Sequence, residues 1–378
     1  MDHSFIERIL ELAVTIQQIP APTFAEAQRA VFVSERFLAE GLSDVSIDRI
    51  GNVYGRLPGG ESAPPLVVSA HMDTVFPESA NVSVVRDSKK IEGPGIGDNS
   101  LGVAGLFGLL WLLRQRSITL PGDLWLVANV GEEGLGDLRG MRAVVDRFGD
   151  RVLAYVILEG MALGQIYHRG LGVQRYRIAV QTAGGHSWVD YGRPSAIHEI
   201  ATIITHLIAL PLPDEPRTTL NVGVIEGGTT VNSIAAEAYL ELDLRSEGVD
   251  VLASLSAQVE SLVSETNRSG VQVTAEVISK RPAGEISPDH PLVRLAMRGL
   301  ETQGIRPHLN VGSTDANIPL SRGLPAICIG LTTGSGAHTP GEYIHTRPLR
   351  QGMEHLVALV SQVYLRRNLW IPPSPFRM

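Results

Sequence analysis

The feature that most constrains the fold is a set of short segments that are apolar at almost every position and alternate with helical patterns. These segments span residues 66–70, 124–130, 153–158 and 326–330. Strands without a polar face are typical of a largely parallel sheet that helices cover on both sides. We therefore predict an α/β fold built on a mixed, largely parallel sheet.

Acidic residues and histidines follow the carboxyl ends of these apolar segments. They are His71, Asp98, Glu132, Glu133, Glu159 and His338. In open sheets of this class, ligands bind outside the carboxyl ends of the strands. A random placement would put some of these residues at the opposite edge. The sequence therefore predicts that they meet at one site.

The residue types at this edge favour a pair of divalent metal ions. Imidazole and carboxylate groups are ligands of zinc, and a carboxylate readily bridges two ions. Three carboxylates against two divalent ions leave a single positive charge, which one bridging hydroxide would neutralise. Such ions polarise a carbonyl group and lower the pKa of bound water. Glu132 points away from its neighbour Glu133 and would be free to act as a general base.

Asp73 places a carboxylate close to His71 in the sequence. Asp73 has a possible supporting role, whereas Asp98, Glu132 and Glu133 also have purely structural interpretations. Asp73 stands two residues after His71, on the same side of an extended chain, and could hold the imidazole in place. Asp98 precedes an apolar helix, where acidic residues commonly serve as caps. Adjacent glutamates such as Glu132 and Glu133 are common on exposed surfaces, but their position between two glycines after an apolar strand favours function.

The pattern changes between about residues 172 and 280, where strands with alternating polarity replace the apolar ones. The order of the expected elements there is βαββαβ, which is typical of a compact α+β unit. We therefore predict that residues 1–171 and 282–378 form one domain and that residues 172–281 form an inserted domain.

Composition excludes several classes of protein. The formal charge of −8 and the absence of a dense Lys/Arg cluster argue against nucleic-acid binding. A single cysteine, Cys328, excludes an internal disulfide and a thiolate zinc site. No signal peptide is evident, and the apolar run 101–113 is too short to cross a bilayer, so we expect a cytoplasmic protein without a membrane partner. The proline-rich segment 371–375 predicts a loose tail.

An ordered set of motifs resembles the M20 metallopeptidase family. The motifs are residues 69–74 (SAHMDT), 97–99 (GDN), 131–134 (GEEG), 184–187 (GGHS) and 337–342 (AHTPGE), together with Glu159. The likeness runs from near the N-terminus to about residue 349. The family includes glutamate carboxypeptidases, peptidase T-like aminopeptidases, aminoacylases and succinyl-diaminopimelate desuccinylases. The resemblance implies a zinc-exopeptidase-like catalytic domain with a co-catalytic dizinc site.

The resemblance also implies which residues hold the metal ions. One zinc would be held by His71 and Glu159, and the other by Glu133 and His338, with Asp98 bridging the two. Cobalt and manganese accept the same ligands. We expect two divalent ions, with zinc favoured.

Further roles follow from the same resemblance. Asp73 would orient His71, and Glu132 would be the base that takes the proton from a dizinc-bound water. The family carries a cis peptide after the bridging aspartate, here Asp98–Asn99. Many members have Asp-Asp at this step, and we expect little consequence from Asn99.

For the inserted domain, the resemblance implies a lid that also forms a homodimer. His186 would reach the partner's active site and stabilise the oxyanion, although it could also be a turn histidine that is satisfied locally. Asn232 and Arg245 match positions that hold substrate, and Arg245 suits a free carboxylate or a surface salt bridge. Two loops resemble the substrate-facing loops of the family, and their residues are Gly312, Ser313, Ser335 and Gly336.

These observations predict a metal-dependent hydrolase that cleaves a terminal amide bond of small peptides or N-acyl amino acids. Glu159 rather than aspartate favours a carboxypeptidase-type exopeptidase within the family, whereas residues 184–188 and 192–196 look similar to peptidase T. A peptidase T-like aminopeptidase and an N-acyl-amino-acid deacylase therefore remain alternatives. The non-enzyme alternative is an inactive metal-binding scaffold protein, which should lack the base or a ligand. Serine-hydrolase chemistry is disfavoured because the sequence has no Gly-x-Ser-x-Gly motif.

Overall fold

A computed structural model of the chain describes residues 3–365. The chain divides into two compact units, one made of Met1–Gly170 with Gly284–Met378 and the other of Leu171–Ala283. The second unit is therefore inserted in the sequence of the first. The segment 371–375, for which the sequence predicts a loose tail, lies outside the described residues.

The bounds of the elements are as follows. The helices are α1 (His3–Gln17), α2 (Ala27–Ala39), α3 (Leu101–Gln115), α4 (Arg139–Phe148), α5 (Ala196–Ile208), α6 (Val249–Thr266), α7 (Pro291–Thr302), α8 (Asn317–Ser321) and α9 (Leu349–Leu365). The strands are β1 (Ser43–Ile47), β2 (Val53–Leu57), β3 (Leu66–His71), β4 (Val85–Arg86), β5 (Lys90–Glu92), β6 (Leu124–Asn129), β7 (Tyr155–Glu159), β8 (Gln165–Gly170), β9 (Gly172–Thr182), β10 (Gly185–His186), β11 (Thr218–Gly227), β12 (Ser233–Ile234), β13 (Glu237–Ser246), β14 (Val271–Arg281), β15 (Gly284–Glu285), β16 (His308–Gly312), β17 (Ala326–Gly330), β18 (Gly334–Ser335) and β19 (Tyr343–His345).

A mixed sheet forms the centre of the first unit. Its strand order is β1-β2-β6-β3-β7-β17-β8-β15, and β16 pairs with β8. The four apolar segments of the sequence are the neighbouring strands β6, β3, β7 and β17, and each of these pairs is parallel. The predicted α/β fold with a largely parallel sheet is therefore confirmed.

The core helix α3 explains the most apolar part of the sequence. Leu101–Leu113 is buried at every position, and the helix packs on β3 and β7 on one side and on α1 and α9 on the other. The segment Ile96–Ser100 precedes it and is not regular helix, because Asp98 and Asn99 have non-helical backbone angles. Together the two segments span Ile96–Gln115, which is long and apolar enough, by length and composition alone, to cross a bilayer. Its most apolar window is 94% buried inside the protein, which is the environment of a core helix.

The second unit is a four-stranded antiparallel sheet covered by two helices. Its strand order is β11-β13-β9-β14, and α5 and α6 pack on β9 and β13. Alternate residues of β13, such as Leu240, Leu242 and Leu244, are buried against these helices. The long elements follow the βαββαβ order that the sequence predicts.

The parallel strands of the first unit bring their carboxyl ends to one edge. His71, the last residue of β3, lies beside Asn129 of β6, and Glu159 of β7 lies beside Gly330 of β17. Gly160 follows Glu159 at a point where a Cβ atom would stand 2.0 Å from the carbonyl oxygen of Gly97. Only glycine allows the loop after β5 to approach the end of β7 this closely.

Candidate metal centre and active site

The first half of the centre is built around His71. Its imidazole is buried at the end of β3, and its Nε2 atom lies 3.1 Å from Asp98 Oδ1 and 3.8 Å from Glu159 Oε2. Its Nδ1 atom lies 3.1 Å from the backbone oxygen of Asp73 and 3.5 Å from Asp73 Oδ1. Both ring nitrogens therefore have oxygen partners, and Nε2 is the one that faces the other site residues.

The second half of the centre is built around His338. Its Nε2 atom lies 3.2 Å from Asp98 Oδ2 and 3.1 Å from Glu133 Oε1. Asp98 thus turns one carboxylate oxygen to His71 and the other to His338. This arrangement brings together the residues that the sequence proposes as metal ligands, with Asp98 at the middle.

Asp73 fixes the segment that follows β6. Its Oδ1 atom accepts the backbone N–H of Glu132 at 3.0 Å, and its Oδ2 atom accepts that of Glu133 at 2.9 Å. The hydroxyl of Thr23 also donates to Oδ2 at 2.9 Å. The sequence predicts that Asp73 orients His71, and its Oδ1 atom lies 3.5 Å from His71 Nδ1. Its carboxylate also bonds to the backbone of both glutamates, which the sequence does not predict.

The cluster attracts positive charge. Burial alone would lower the pKa of His71, but the surrounding carboxylates outweigh burial and raise that pKa well above its ordinary value. Hydrogen bonds to Asp98 and Glu133 raise the pKa of His338 to about 10. Burial raises the pKa of Glu159 to about 7, whereas the two imidazoles overcome burial and lower the pKa of Asp98.

These residues fit a divalent metal ion. The ligand atoms of His71, Asp98 and Glu133 all lie within 4.8 Å of one another. Imidazole nitrogens and carboxylate oxygens are the donor atoms that zinc takes in proteins. The carboxylates raise the pKa values of His71 and His338 because they favour positive charge at this place, and a divalent cation would supply such charge.

Comparison with known proteins decides the family. The profile of peptidase family M20/M25/M40 matches residues 67–362, which is most of the chain. The chain belongs to this family. It is therefore a hydrolytic enzyme of the M20 peptidases and amidohydrolases, as the sequence predicts.

Relatives of several activities resemble this M20 protein. The acetylornithine deacetylase of Klebsiella pneumoniae is 28% identical over 325 residues, which cover 80% of each protein. The structure of aminopeptidase PepT from Bacillus cereus has a TM-score of 0.79 at 23% identity, covering 95% of this chain and 98% of that one. YxeP of Bacillus subtilis, described as a dinuclear metal-binding M20 peptidase, has a TM-score of 0.70 at 18% identity, covering 96% and 99%.

Three predicted site residues of this M20 protein lie in its second unit. His186 is exposed, and its Nδ1 atom accepts the backbone N–H groups of Trp188 and Val189 at 3.2 and 3.4 Å. Asn232 is on the neighbouring loop, since its backbone oxygen accepts the N–H of Ser187 at 3.0 Å. Arg245 lies on β13.

Arg245 belongs to an ion-pair network on the open face of the second sheet. Its Nε atom donates to Asp243 Oδ2 at 2.7 Å, and Arg175 Nε donates to Asp243 Oδ1 at 2.7 Å. Arg245 therefore forms a surface salt bridge, which is one of its two predicted roles. Part of its side chain remains exposed to solvent.

The residues of the two glycine-rich loops fall in the first unit. Gly312 ends β16 and Ser313 follows it, and Ser335 ends β18. Gly336 has a φ of 79° and accepts the backbone N–H of Thr339 at 3.0 Å through its carbonyl oxygen. The turn so formed presents His338, so this loop is part of the metal centre.

The sequence missed buried polar residues that support the centre. Asn99, after the cis peptide Asp98–Asn99, donates from Nδ2 to the carbonyl oxygen of Leu158 at 2.8 Å, and its Oδ1 atom accepts the N–H of Gly160 at 3.0 Å. Asn99 therefore bonds to the backbone of the residue before Glu159 and of the residue after it. Helix propensity and strand patterning carry no signal for such contacts between loops.

A second missed pair lies beside the centre. Asn129, the last residue of β6, donates from Nδ2 to Asp315 Oδ2 at 2.6 Å, and both side chains are fully buried. Asp315 belongs to the loop that resembles a substrate-facing loop of the family. Its burial indicates that it supports this edge of the sheet from within.

Proposed function

We propose that this protein is a dizinc exopeptidase or N-acyl-amino-acid hydrolase that cleaves a terminal amide bond next to a free carboxylate. The observation that carries the proposal is the geometry of Asp98, whose two carboxylate oxygens face His71 and His338 at 3.1 and 3.2 Å. A carboxylate in this position is suited to bridge two cations.

The residues of the centre would divide between the two ions. His71 and Glu159 would hold one ion, Glu133 and His338 would hold the other, and Asp98 would contact both. When bound, the ions polarise the substrate carbonyl and make a water molecule more acidic. Cobalt or manganese would serve the same ligands.

Glu132 would act as the general base. Glu133 has extended backbone angles, φ −79° and ψ 147°, so neighbouring side chains point to opposite sides of the chain. Glu132 would take a proton from the attacking water and pass it to the leaving nitrogen as the C–N bond breaks. The products would be a carboxylic acid and an amine.

His186 would stabilise the oxyanion of a partner subunit in a homodimer. Because its Nδ1 atom accepts two backbone N–H groups, a neutral His186 carries its hydrogen on Nε2. That N–H is a donor of the kind an oxyanion site requires. Arg245 would bind the substrate carboxylate, and Asn232 would also hold the substrate.

The carboxypeptidase type is the variant that we favour, because Glu159 rather than aspartate ends β7. The second candidate is an N-acyl-amino-acid deacylase, which is favoured by the likeness to an acetylornithine deacetylase. Dipeptides, tripeptides and N-acyl amino acids, assayed with zinc, cobalt and manganese, separate the two. Turnover of N-acylated substrates alone would also exclude an aminopeptidase.

The deciding experiment compares the zinc-loaded protein with Glu132→Ala. We expect kcat to fall by a factor of about 10² to 10⁴, the usual contribution of a general base, while zinc binding is retained. Glu35→Ala, at an exposed position on α2, is the control and should leave kcat unchanged. Equal, measurable rates for the wild type and Glu132→Ala would refute the mechanism. No hydrolysis by either protein on any of these substrates would favour the inactive scaffold protein.

A mixing experiment tests the shared site. Glu132→Ala and His186→Ala would each be inactive, but a mixed dimer would contain one complete site. Recovery of activity on mixing supports the dimer, whereas a monomer by light scattering at working concentration would contradict it.

A further inference from the structure

Glu342 is a fully buried carboxylate in the loop that carries His338. Its side chain reaches the glycine-rich loop that carries Asp98. Its Oε1 atom accepts the backbone N–H groups of Gly97 at 2.7 Å and Asp98 at 2.8 Å, and its Oε2 atom accepts that of Gly95 at 3.1 Å. No metal-binding or catalytic role described above uses this residue.

The Asp98 loop depends on this carboxylate for its hydrogen bonds. Gly95 has a left-handed φ of 72°, which helps the backbone N–H groups of the loop to turn toward a single anion. The three N–H groups that Glu342 accepts would otherwise be buried donors without this partner, and leaving such donors unpaired destabilises the loop.

The backbone of Glu342 makes a second connection between the same loops. Its carbonyl oxygen accepts the N–H of Gly93 at 2.8 Å, and its own N–H donates to the carbonyl oxygen of Thr339 at 3.1 Å. Thr339 in turn donates to Gly336 at 3.0 Å, which closes the turn around His338. Glu342 is therefore tied to the segment before Asp98 and to the turn of His338.

We propose that Glu342 is a positioning residue that holds the carboxylate of Asp98 against the imidazole of His338, so that the two can share a metal ion. The observed separation of these groups, 3.2 Å between Asp98 Oδ2 and His338 Nε2, is then set by a residue that bonds to the backbone of the Asp98 loop and belongs to the loop of His338. The proposal rests on the proposed function, because it assumes that Asp98 and His338 are ligands.

The test uses Glu342→Gln, which keeps the size of the side chain. One oxygen of the glutamine can still accept N–H groups, but its NH₂ group would face a backbone donor. Glu92→Gln is the matched control, because Glu92 pairs with Tyr343, the residue after Glu342, across β5 and β19, and its partly exposed carboxylate contacts Lys90.

The measured quantity is the zinc affinity of the metal-free protein, obtained by competition with a chromophoric chelator. We expect Glu342→Gln to bind zinc about 10- to 100-fold more weakly, as is usual when a residue that supports a ligand is lost. We expect Glu92→Gln to match the wild type. In the loaded enzyme, kcat should fall while KM changes little, because the substrate-binding residues are intact.

Three other results would contradict either the positioning role of Glu342 or the proposed function. A folded Glu342→Gln whose zinc affinity is within twofold of the wild type would refute the positioning role and leave the proposed function intact. A wild type that binds no zinc would refute the proposed function itself. If Glu342→Gln does not fold, Glu342→Asp is measured instead, and failure of both to fold would show that Glu342 maintains the fold rather than the site.

Discussion

The carboxylate of Asp73 accepts the backbone N–H of Glu132 at 3.0 Å. Asp73 follows β3 and Glu132 follows β6, so this bond joins the ends of two neighbouring parallel strands. Its other oxygen accepts the N–H of Glu133 at 2.9 Å. The buried carboxylate of Asp73 therefore holds the backbone of both the proposed base, Glu132, and a proposed ligand, Glu133.

The first prediction is that Asp73→Asn lowers kcat about 10- to 100-fold. An amide has one acceptor oxygen, so its NH₂ group would face one of the two backbone N–H groups and displace Glu132 or Glu133. Zinc affinity and kcat are measured together. Thr23→Val removes only the hydroxyl bond to Asp73 and should have a smaller effect; equal effects of both variants would contradict this argument.

The sequence predicts where the proposed ligands meet because the strands carry a strong signal. His71 and Glu159 end apolar segments, and Glu133 follows another. Parallel pairing then brings these ends to the same edge without any knowledge of side-chain contacts. Patterning along the chain was therefore sufficient to predict that these side chains lie at one edge of the sheet.

The supporting residues could not be predicted in the same way. Glu342 contacts Asp98 across a separation of 244 residues, and both residues lie on loops. Asn99 and Asn129 resemble ordinary turn and strand-end residues in the sequence. Their roles depend on loop conformations, which follow from backbone geometry and packing rather than from apolar periodicity.

The second prediction is that zinc binding releases protons. The pKa of His338 is raised to about 10 and that of His71 is raised well above its ordinary value, so both imidazoles are protonated near neutral pH in the metal-free protein. A metal ligand must be deprotonated. Zinc affinity should therefore rise with pH until these imidazoles lose their protons.

Calorimetry in buffers of different ionisation enthalpy measures this release. We expect roughly two to three protons to be released near pH 7 when both sites fill, one from each imidazole and part of one from Glu159, whose pKa burial raises to about 7. His345→Gln, which removes a histidine outside the cluster, serves as the control and should release the same number. A release of zero would contradict the assignment of the two histidines as ligands.

The third prediction concerns Asn99. Its Nδ2 atom donates to the buried carbonyl oxygen of Leu158 at 2.8 Å, and an ionised aspartate would place an acceptor there instead. We expect Asn99→Asp to lower the free energy of unfolding by about 1–3 kcal/mol. Asn310→Asp alters an exposed amide that bonds to Gln165 and should cost much less; urea unfolding of both variants measures the difference.

The fourth prediction separates substrate binding from structure at Arg245. Arg245 and Arg175 both donate to Asp243 at 2.7 Å, so their replacements remove similar ion pairs. If Arg245 binds a substrate carboxylate, Arg245→Ala should raise KM about tenfold or more, the effect of losing a charge-assisted bond. Arg175→Ala should leave KM unchanged, and equal changes in KM would identify Arg245 as a structural residue.

The fifth prediction concerns His355, a buried histidine of α9 that is remote in sequence from the ligand motifs. Its Nε2 atom donates to the carbonyl oxygen of Ala296 at 3.0 Å, and burial lowers its pKa to about 4. An unfolded histidine takes up a proton below about pH 6.5. Between these values the unfolded state binds more protons than the folded state, so His355 should destabilise the protein as the pH falls.

The variant His355→Gln isolates this effect, because its amide can keep the bond to Ala296 but does not titrate. The substitution itself changes the unfolding free energy by an amount that does not depend on pH. The measured quantity is therefore the change in unfolding free energy between pH 7.5 and 5.5. We expect the wild type to lose about 1 kcal/mol more than the variant over this range. His308→Gln, at an exposed position on β16, should behave as the wild type does. If His355→Gln and the wild type lose equal stability on acidification, then His355 is not neutral in the folded protein.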